Sequence, residues 1–330
     1  MRTRELINLT NSGHPGINAL FSKAHAAGWD IDRDVDWSLP IAADDPLVDH
    51  AWAAFGATPT FRALPETVQT YATRRALGRM LNVLQVGESV AQDVCAQLVL
   101  RLREEDYRNH AAAQAMDEAR HHLAYRRILE KMNEEPEDLD PGTELMFDSL
   151  LAAQGALELV ATEQFFLESV AMDIFDGIRA HATHPLLRQV LPLVVRDESR
   201  HMGFGVLYVA EHLRRHDRDA RVDFARRWMG QILFAATDQP GPIMLGRLLR
   251  RLREAGVDAD ALAPALLSEQ QAINARARDE ALAGRRLPQL MKSARRAGLL
   301  QPDLLEALGI AQHPLVRATL AAEVGGIAEG

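Results

Sequence analysis

The sequence predicts an all-α fold: a four-helix bundle carrying an N-terminal arm and additional C-terminal helices. Three observations predict it. Apolar residues recur at helical spacing from Pro65 to about residue 216, and no run has the alternation of a strand. Two near-identical pentapeptides, Asp117-Glu118-Ala119-Arg120-His121 and Asp197-Glu198-Ser199-Arg200-His201, lie eighty positions apart. On a helix, Glu and His at i and i+3 leave from one face. Eighty positions are too many for a local repeat and suit two partner helices. A Glu-x-x-His from each of two helices, plus one Glu from each of two others, is the ligand set of a bundle that holds two metals.

Composition narrows the class. The 330 residues suffice for one large domain or two ordinary ones. Charged and apolar fractions of 25% and 47% are those of a soluble globular chain. No uninterrupted apolar run of about eighteen residues exists, so no membrane span is expected. The N-terminal MRTRELINLTNSGHPG has no apolar signal core, so the expected compartment is the cytoplasm. The single Cys95 excludes a disulfide framework and any Cys-based zinc or iron–sulfur site. An excess of 46 acidic over 37 basic residues disfavours nucleic acid as a partner. No phosphate-binding glycine loop and no dinucleotide fingerprint occurs.

In chain order, residues 1–64 read as an arm and a short helix. The first 42 look irregular. Trp29-Asp30-Ile31-Asp32-Arg33-Asp34-Val35-Asp36-Trp37 alternates acid with apolar, as a short extended surface arm pinned by two tryptophans would. Asp44-Asp45-Pro46 carries helix-opening residues for a helix ending near Gly56. Residues 65–216 are the bundle. Leu81, Leu84, Glu88, Ala91 and Cys95 form an apolar stripe interrupted by one acid. A break at Arg101–Asp106 leads to a helix carrying Ala115, Glu118, His121, Tyr125 and Ile128. The segment Asn133–Gly142, with Pro136 and Pro141, is a connection. A third helix is expected from about Thr143 through Glu163 to Ile178, a break at His181–Pro185, and a fourth helix carrying Val194, Glu198, His201 and Tyr208 to near His216. Residues 217–330 read as further short helices around 219–235, 241–254, 259–282 and 286–296, punctuated by Pro240, Gly241, Pro242, Gly256, Gly284 and Pro288. Arg247, Arg250, Arg251 and Arg253 read as a solvated helix face.

Depth supplies an independent test. In an antiparallel helical hairpin, residues equidistant from the turn lie side by side. The midpoint of Glu88 and Glu118 is 103, inside the first break. That of Glu118 and Glu163 falls at Asp140-Pro141, and that of Glu163 and Glu198 at 180–181. Four glutamates thus share one level of an up-down-up-down bundle, roughly 22–34 Å from each turn at about 1.5 Å per residue. Glu158 and Glu168 match that level less well. Four carboxylates would be neutralised by two divalent cations, whereas unpaired they would cost several kcal/mol each on burial. Oxygen-rich ligation with two imidazoles suits iron or manganese. Asp117 and Asp197 are placed to accept the free ring N–H of a ligand histidine on the facing helix, with Arg120 and Arg200 pairing to them. Tyr125 lies one turn after His121, either a buried phenol or a redox-active one. Phe165, Phe166, Phe204 and Val194 are candidates to line a substrate cavity. His122, about 100° round the helix from His121, reads as surface or supporting, and His110 and His184 as surface or turn residues. Cys95 reads as a small core residue.

These motifs resemble the ferritin-like di-iron carboxylate superfamily, and within it the branch of monooxygenase hydroxylases, ligand-binding oxidases similar to the ribonucleotide reductase small subunit, and arylamine N-oxygenases. The resemblance spans about residues 65–216 and rests on Gly87-Glu88 and the two pentapeptides. It implies metal ligation by Glu88, Glu118, His121, Glu163, Glu198 and His201. Arylamine N-oxygenases carry an extra ligand histidine four residues before the last Glu, where this chain has Val194. Ribonucleotide reductase small subunits carry their radical tyrosine at the place of Tyr125, but open their ligand set with Asp where this chain has Glu88. The expected function is therefore O2 activation at two iron ions, with Mn/Fe as the other pairing, to hydroxylate or N-oxygenate a small organic substrate. A radical-generating subunit using Tyr125 is the alternative, and iron storage a third. Electrons would come from an external ferredoxin or reductase, since the chain has no flavin or nicotinamide signature. The expected assembly is a homodimer.

Overall fold

The structure is a computed structural model that describes residues 9–237 and 242–326. All regular structure among those residues is helical, apart from the isolated bridges Thr10–Glu104 and Val48–Ala182. The chain divides into two compact units. One comprises Met1–Asp49, Arg74–Glu168 and Ile178–Tyr208, and the other His50–Thr73, Ser169–Gly177 and Val209–Gly330.

The first unit holds the bundle. Its long helices are α3 (Glu66–Arg101), whose first turns to Thr73 belong to the second unit, and α4 (Glu105–Met132). They are preceded in sequence by α1 (Pro15–Ala26) and the four-residue α2 (Pro59–Arg62). Asn133 ends α4 in the left-handed conformation, at φ 53°, and returns its N–H to the last-turn carbonyls. α5 (Pro141–Leu151) opens on a proline at its first position, where the missing N–H has no intrahelical partner to lose. The third leg follows as α6 (Ala156–Val160), a π-helical segment Ala161–Leu167, and α7 (Glu168–His181). α8 (Pro185–Arg215) is the fourth leg. The core beneath one end of these legs includes Val94, Leu98, Tyr107, Leu159, Val160 and Phe204, with Ile17 of α1 packed into it. Arg74 ties the connections together by donating to the carbonyls of Ala42, Asp45 and Met132.

The second unit contains α9 (Arg218–Thr237), α10 (Pro242–Glu254), α11 (Ala259–Leu282), α12 (Pro288–Arg296), α13 (Pro302–Leu308) and α14 (Pro314–Gly326). Phe55, Phe61, Leu248, Leu252 and Leu266 form its apolar cluster. Asp173 accepts from the backbone N–H groups of Gln289 and Leu290 at the start of α12, and burial pushes its carboxyl up to about 6.

Several local expectations are corrected. Residues 15–26, read as irregular, form α1, with Pro15 at its first position. Trp29–Trp37 is a run of turns rather than an extended arm, because Asp30, Asp34 and Asp36 bond local backbone N–H groups. Asp44-Asp45-Pro46 opens no helix: Asp45 accepts from the N–H of Leu47, and only a 3₁₀ turn forms at His50–Trp52. The third leg is not continuous, being interrupted at Ala152–Gly155 and then over-wide through the π segment. α13 and α14 were not foreseen. Residues 1–8 of the arm and the Pro240-Gly241 punctuation lie outside the described residues.

Candidate metal centre

Four glutamates and two histidines meet inside the first unit, with a fifth glutamate, Glu163, buried nearby and belonging to neither of the two groups they form. Glu88 comes from α3, Glu118 and His121 from α4, and Glu198 and His201 from α8. The remaining two acids, Glu163 and Glu168, come from the third leg, and all seven side chains are buried. One oxygen or ring nitrogen from each of Glu88, Glu118, His121 and Glu198 lies within 4.8 Å of the others, and the same holds for Glu118, Glu168, Glu198 and His201. Glu118 and Glu198 belong to both groups.

The hydrogen-bond distances show how they are shared. His121 Nδ1 lies 3.1 Å from Glu118 Oε2 and 2.9 Å from Glu198 Oε1. His201 Nδ1 lies 3.2 Å from Glu118 Oε1 and 3.1 Å from Glu198 Oε2. Each of these two carboxylates therefore presents one oxygen to each imidazole, the arrangement of a bridging ligand between two cation positions. Glu88 stands on the His121 side, at 3.8 Å, and Glu168 on the His201 side, at 3.6 Å.

The outer faces of the imidazoles are held with matching symmetry. His121 Nε2 lies 3.3 Å from Asp197, and His201 Nε2 lies 3.1 Å from Asp117. Each aspartate thus directs the facing histidine to offer Nδ1 inward. Arg200 bridges the two aspartates, donating to Asp117 at 3.0 Å and Asp197 at 2.7 Å, and Arg120 pairs with Asp117. Burial opposes ionisation of both aspartates, but the hydrogen bonds from His121 to Asp197 and from His201 to Asp117 outweigh it and hold both carboxyls low. These four residues lie where the repeat places them.

The seven central groups sort by charge. Burial first, then the Glu198 charge, raises Glu88 well above the carboxylate range, and the same causes raise Glu168. Burial and the Glu118 charge push Glu163 up to about 8. Despite burial, His121 is raised by Glu198 and by its bond to Asp197, and His201 by Glu118 and its bond to Asp117. Against burial, Glu118 stays low because the His201 charge faces it, and Glu198 because it accepts a hydrogen bond from Glu168 and faces the His121 charge. In the absence of metal, the cluster is thus two imidazoliums against two carboxylates, with three neutral acids. Donors that give up protons to cations fit a metal pair, and one oxygen of Glu163 is buried with no hydrogen-bond partner.

Other expected residues fall as follows. Tyr125 is fully buried, and burial together with the nearby Glu88 raises its phenol. Val194 and Phe204 are fully buried, while Phe166 is only half-buried; Phe165 is the phenylalanine enclosed in the core. His122 bonds Ser89 and the Gln85 carbonyl. His110 is not a surface residue: it is 1% exposed, stacked 4.4 Å from Phe204, and burial lowers it to about 3. His184 is buried in its turn, bonding the N–H of Leu186 and the Pro40 carbonyl. Cys95 is a buried core residue.

Three residues were missed or set aside. Residue spacing alone puts Glu168 farther from the common level than Glu163, yet its oxygen joins the His201 group. Gln114 donates to Glu118 at 2.8 Å and Glu168 at 3.0 Å, and nothing in an apolar-stripe reading singles it out. Trp29 donates from its indole to Asp197 at 2.7 Å and stacks on His121 with centroids 6.4 Å apart. Its only sequence signal was an aromatic in an acidic arm.

A buried double Glu-x-x-His centre with two carboxylates shared between its histidines, set in a helical bundle, defines a di-metal carboxylate oxidoreductase of the ferritin-like class. A family model described as p-aminobenzoate N-oxygenase AurF matches residues 15–240, and the chain belongs to that family of di-iron enzymes. No curated protein matches it. Among solved structures, a point mutant of an R2-like ligand-binding oxidase with aerobically reconstituted Mn/Fe cofactor shares the fold at TM-score 0.50 and 14% identity, covering 79% of this chain and 93% of that one. The anaerobically reconstituted form of that oxidase gives TM-score 0.49 at the same identity and coverage.

Proposed function

We propose that this enzyme oxygenates a small organic substrate, by N-oxygenation of an amine or hydroxylation, using O2 at the two-metal centre. The observation that supports this most is the sharing of Glu118 and Glu198 between His121 and His201, one oxygen to each. The proposed ligands are Glu88, Glu118, His121, Glu198 and His201 with Glu163 from the third leg. The two metals, when bound, supply the electrons that reduce O2 and so the oxidising power. The protein's own residues do the rest. Asp117 and Asp197 orient the imidazoles, Arg120 and Arg200 keep those aspartates ionised, and Phe204, Val194 and the third leg exclude water.

On this reading residues 65–216 form the catalytic bundle, with 1–64 as an arm and short helix and 217–330 as added helices. Electrons come from an external ferredoxin or reductase, and the enzyme works in the cytoplasm as a homodimer. None of the described helices is long and apolar enough to cross a membrane. The family's described activity, on p-aminobenzoate, makes aromatic amines the first substrates to assay. Iron-loaded protein given a chemical reductant, O2 and an arylamine panel should yield hydroxylamine or nitro products. Fully loaded, reducible protein that consumes no O2 with any amine or arene would refute the proposal. Burial of Tyr125 beside Glu88 supports the radical reading as second: a stable tyrosyl EPR signal after O2 exposure, lost in Tyr125→Phe, would favour it. Iron storage predicts many irons per chain, and two per chain by metal analysis would exclude it.

A further inference from the structure

The third leg offers two carboxylates to the centre where the bundle pattern asks for one. Glu163 and Glu168 are five residues apart. On an α-helix at about 100° per residue, positions i and i+5 diverge by roughly 140°, so both would not face one point. Residues Ala161–Leu167, however, are π-helical, and i→i+5 hydrogen bonding brings position i+5 round beneath position i. Such single-segment π turns cost stability and concentrate at functional sites. The packing around it is built for this one. Gly205 of α8 lies so close that a Cβ there would stand 2.4 Å from the Gln164 carbonyl carbon and 2.5 Å from the Phe165 nitrogen.

Within this segment it is Glu168, at the junction with α7, that meets the geometry of a ligand. Its oxygen lies 3.6 Å from His201 Nδ1 and within 4.8 Å of donor atoms of Glu118 and Glu198. Gln114 grips that same oxygen and one of Glu118, fixing their separation. Glu168 stands to His201 as Glu88 stands to His121, one end acid on each side of the shared pair. One oxygen of Glu163 is also buried with no hydrogen-bond partner.

We propose that Glu168 is a direct metal ligand, bound to the ion that His201 holds, so that the centre uses five carboxylates with Glu163 facing it from one π turn earlier. This rests on the di-metal reading above and extends it. Five carboxylates exceed the charge of two divalent ions by one, so the site favours raising the valence of one metal and lowers the potential at which the pair is reduced.

Cobalt(II) is the test probe, because its visible spectrum reports coordination number without turnover. The metal-free full chain is titrated with Co(II), as wild type and as Glu168→Gln, Glu168→Asp, Glu163→Gln and Glu118→Ala, with bound metal counted by elemental analysis. Glu168→Gln should keep one site at wild-type affinity and weaken the other roughly tenfold or more. Glu168→Asp, which keeps the charge if Gln disturbs folding, should bind two ions with a changed spectrum. Two ions bound by Glu168→Gln at wild-type affinity and with the wild-type spectrum would overturn the proposal. So would loss of the second site in Glu163→Gln if Glu168→Gln keeps both ions. Glu118→Ala separates the levels: if it too keeps both ions, the di-metal reading itself fails, whereas loss there with no effect at Glu168 sinks only this inference.

Discussion

Loading the centre with metal should expel protons, and the structure sets how many. Near pH 7 in the metal-free protein, Glu88 and Glu168 are neutral acids, Glu163 with a value of about 8 is about nine-tenths protonated, and His121 and His201 are imidazoliums. Glu118 and Glu198 are already ionised. A ligand must offer a lone pair, so every one of the five protonated groups that ligates loses its proton. Two divalent ions should therefore release about five protons per chain if Glu163 and Glu168 both ligate, and about four if only one of them does. The sign follows from the raised values: protons compete with metal below them, so apparent affinity climbs with pH, by about one log unit per pH unit for each proton released. Above about pH 8, where Glu163 ionises by itself, the release falls by one and the slope eases. Isothermal titration with Co(II) in two buffers of different ionisation enthalpy reads the number directly. A release below about two protons would refute the charge assignment, because imidazoliums alone account for that many.

Other consequences are open to direct measurement. Asp197→Asn removes the negative charge of the group that accepts from both His121 and Trp29, and should weaken metal binding about 10–100-fold while Trp29→Phe, which keeps the aspartate, weakens it less. Because Asp117 and Asp197 are held low, their contribution to metal-free stability is complete above about pH 4 and lost as pH falls. Asp197→Asn should accordingly flatten the acid limb of a Tm-against-pH curve. Gly205→Ala sets a methyl against the π segment's backbone and should lower stability by about 1–3 kcal/mol in urea melts; an unchanged midpoint would show that the close approach is not required. Arg74→Met strands three carbonyl acceptors in the connections around α3 and α4, and should cost about 3 kcal/mol by the same measurement.

What the sequence disclosed and what it withheld divide along one physical line. Glu118, His121, Glu198, His201, Asp117 and Asp197 were legible because i and i+3 share a face on any α-helix, and the repeat marked the two helices as partners. Glu88 was legible as an acid in an apolar stripe. Wherever the backbone stays α-helical, residue spacing converts to position, and the turn at 102–104 contains the midpoint of Glu88 and Glu118. The third leg breaks that conversion. Its interruption at Ala152–Gly155 removes the uniform rise on which the midpoint of Glu118 and Glu163 depended, and the π segment adds a residue to one turn. The count that selected Glu163 over Glu168 assumed a helix that is not there. Gly205, the one residue whose identity betrays the wide turn, lies on a different helix and signals only through a contact. Trp29 was hidden for a related reason: it reaches Asp197 from an arm 168 positions away, a distance over which no local pattern carries. A backbone that departs from its regular period at the metal centre costs stability that packing alone would not spend, so the departure itself is evidence that both third-leg carboxylates are wanted there.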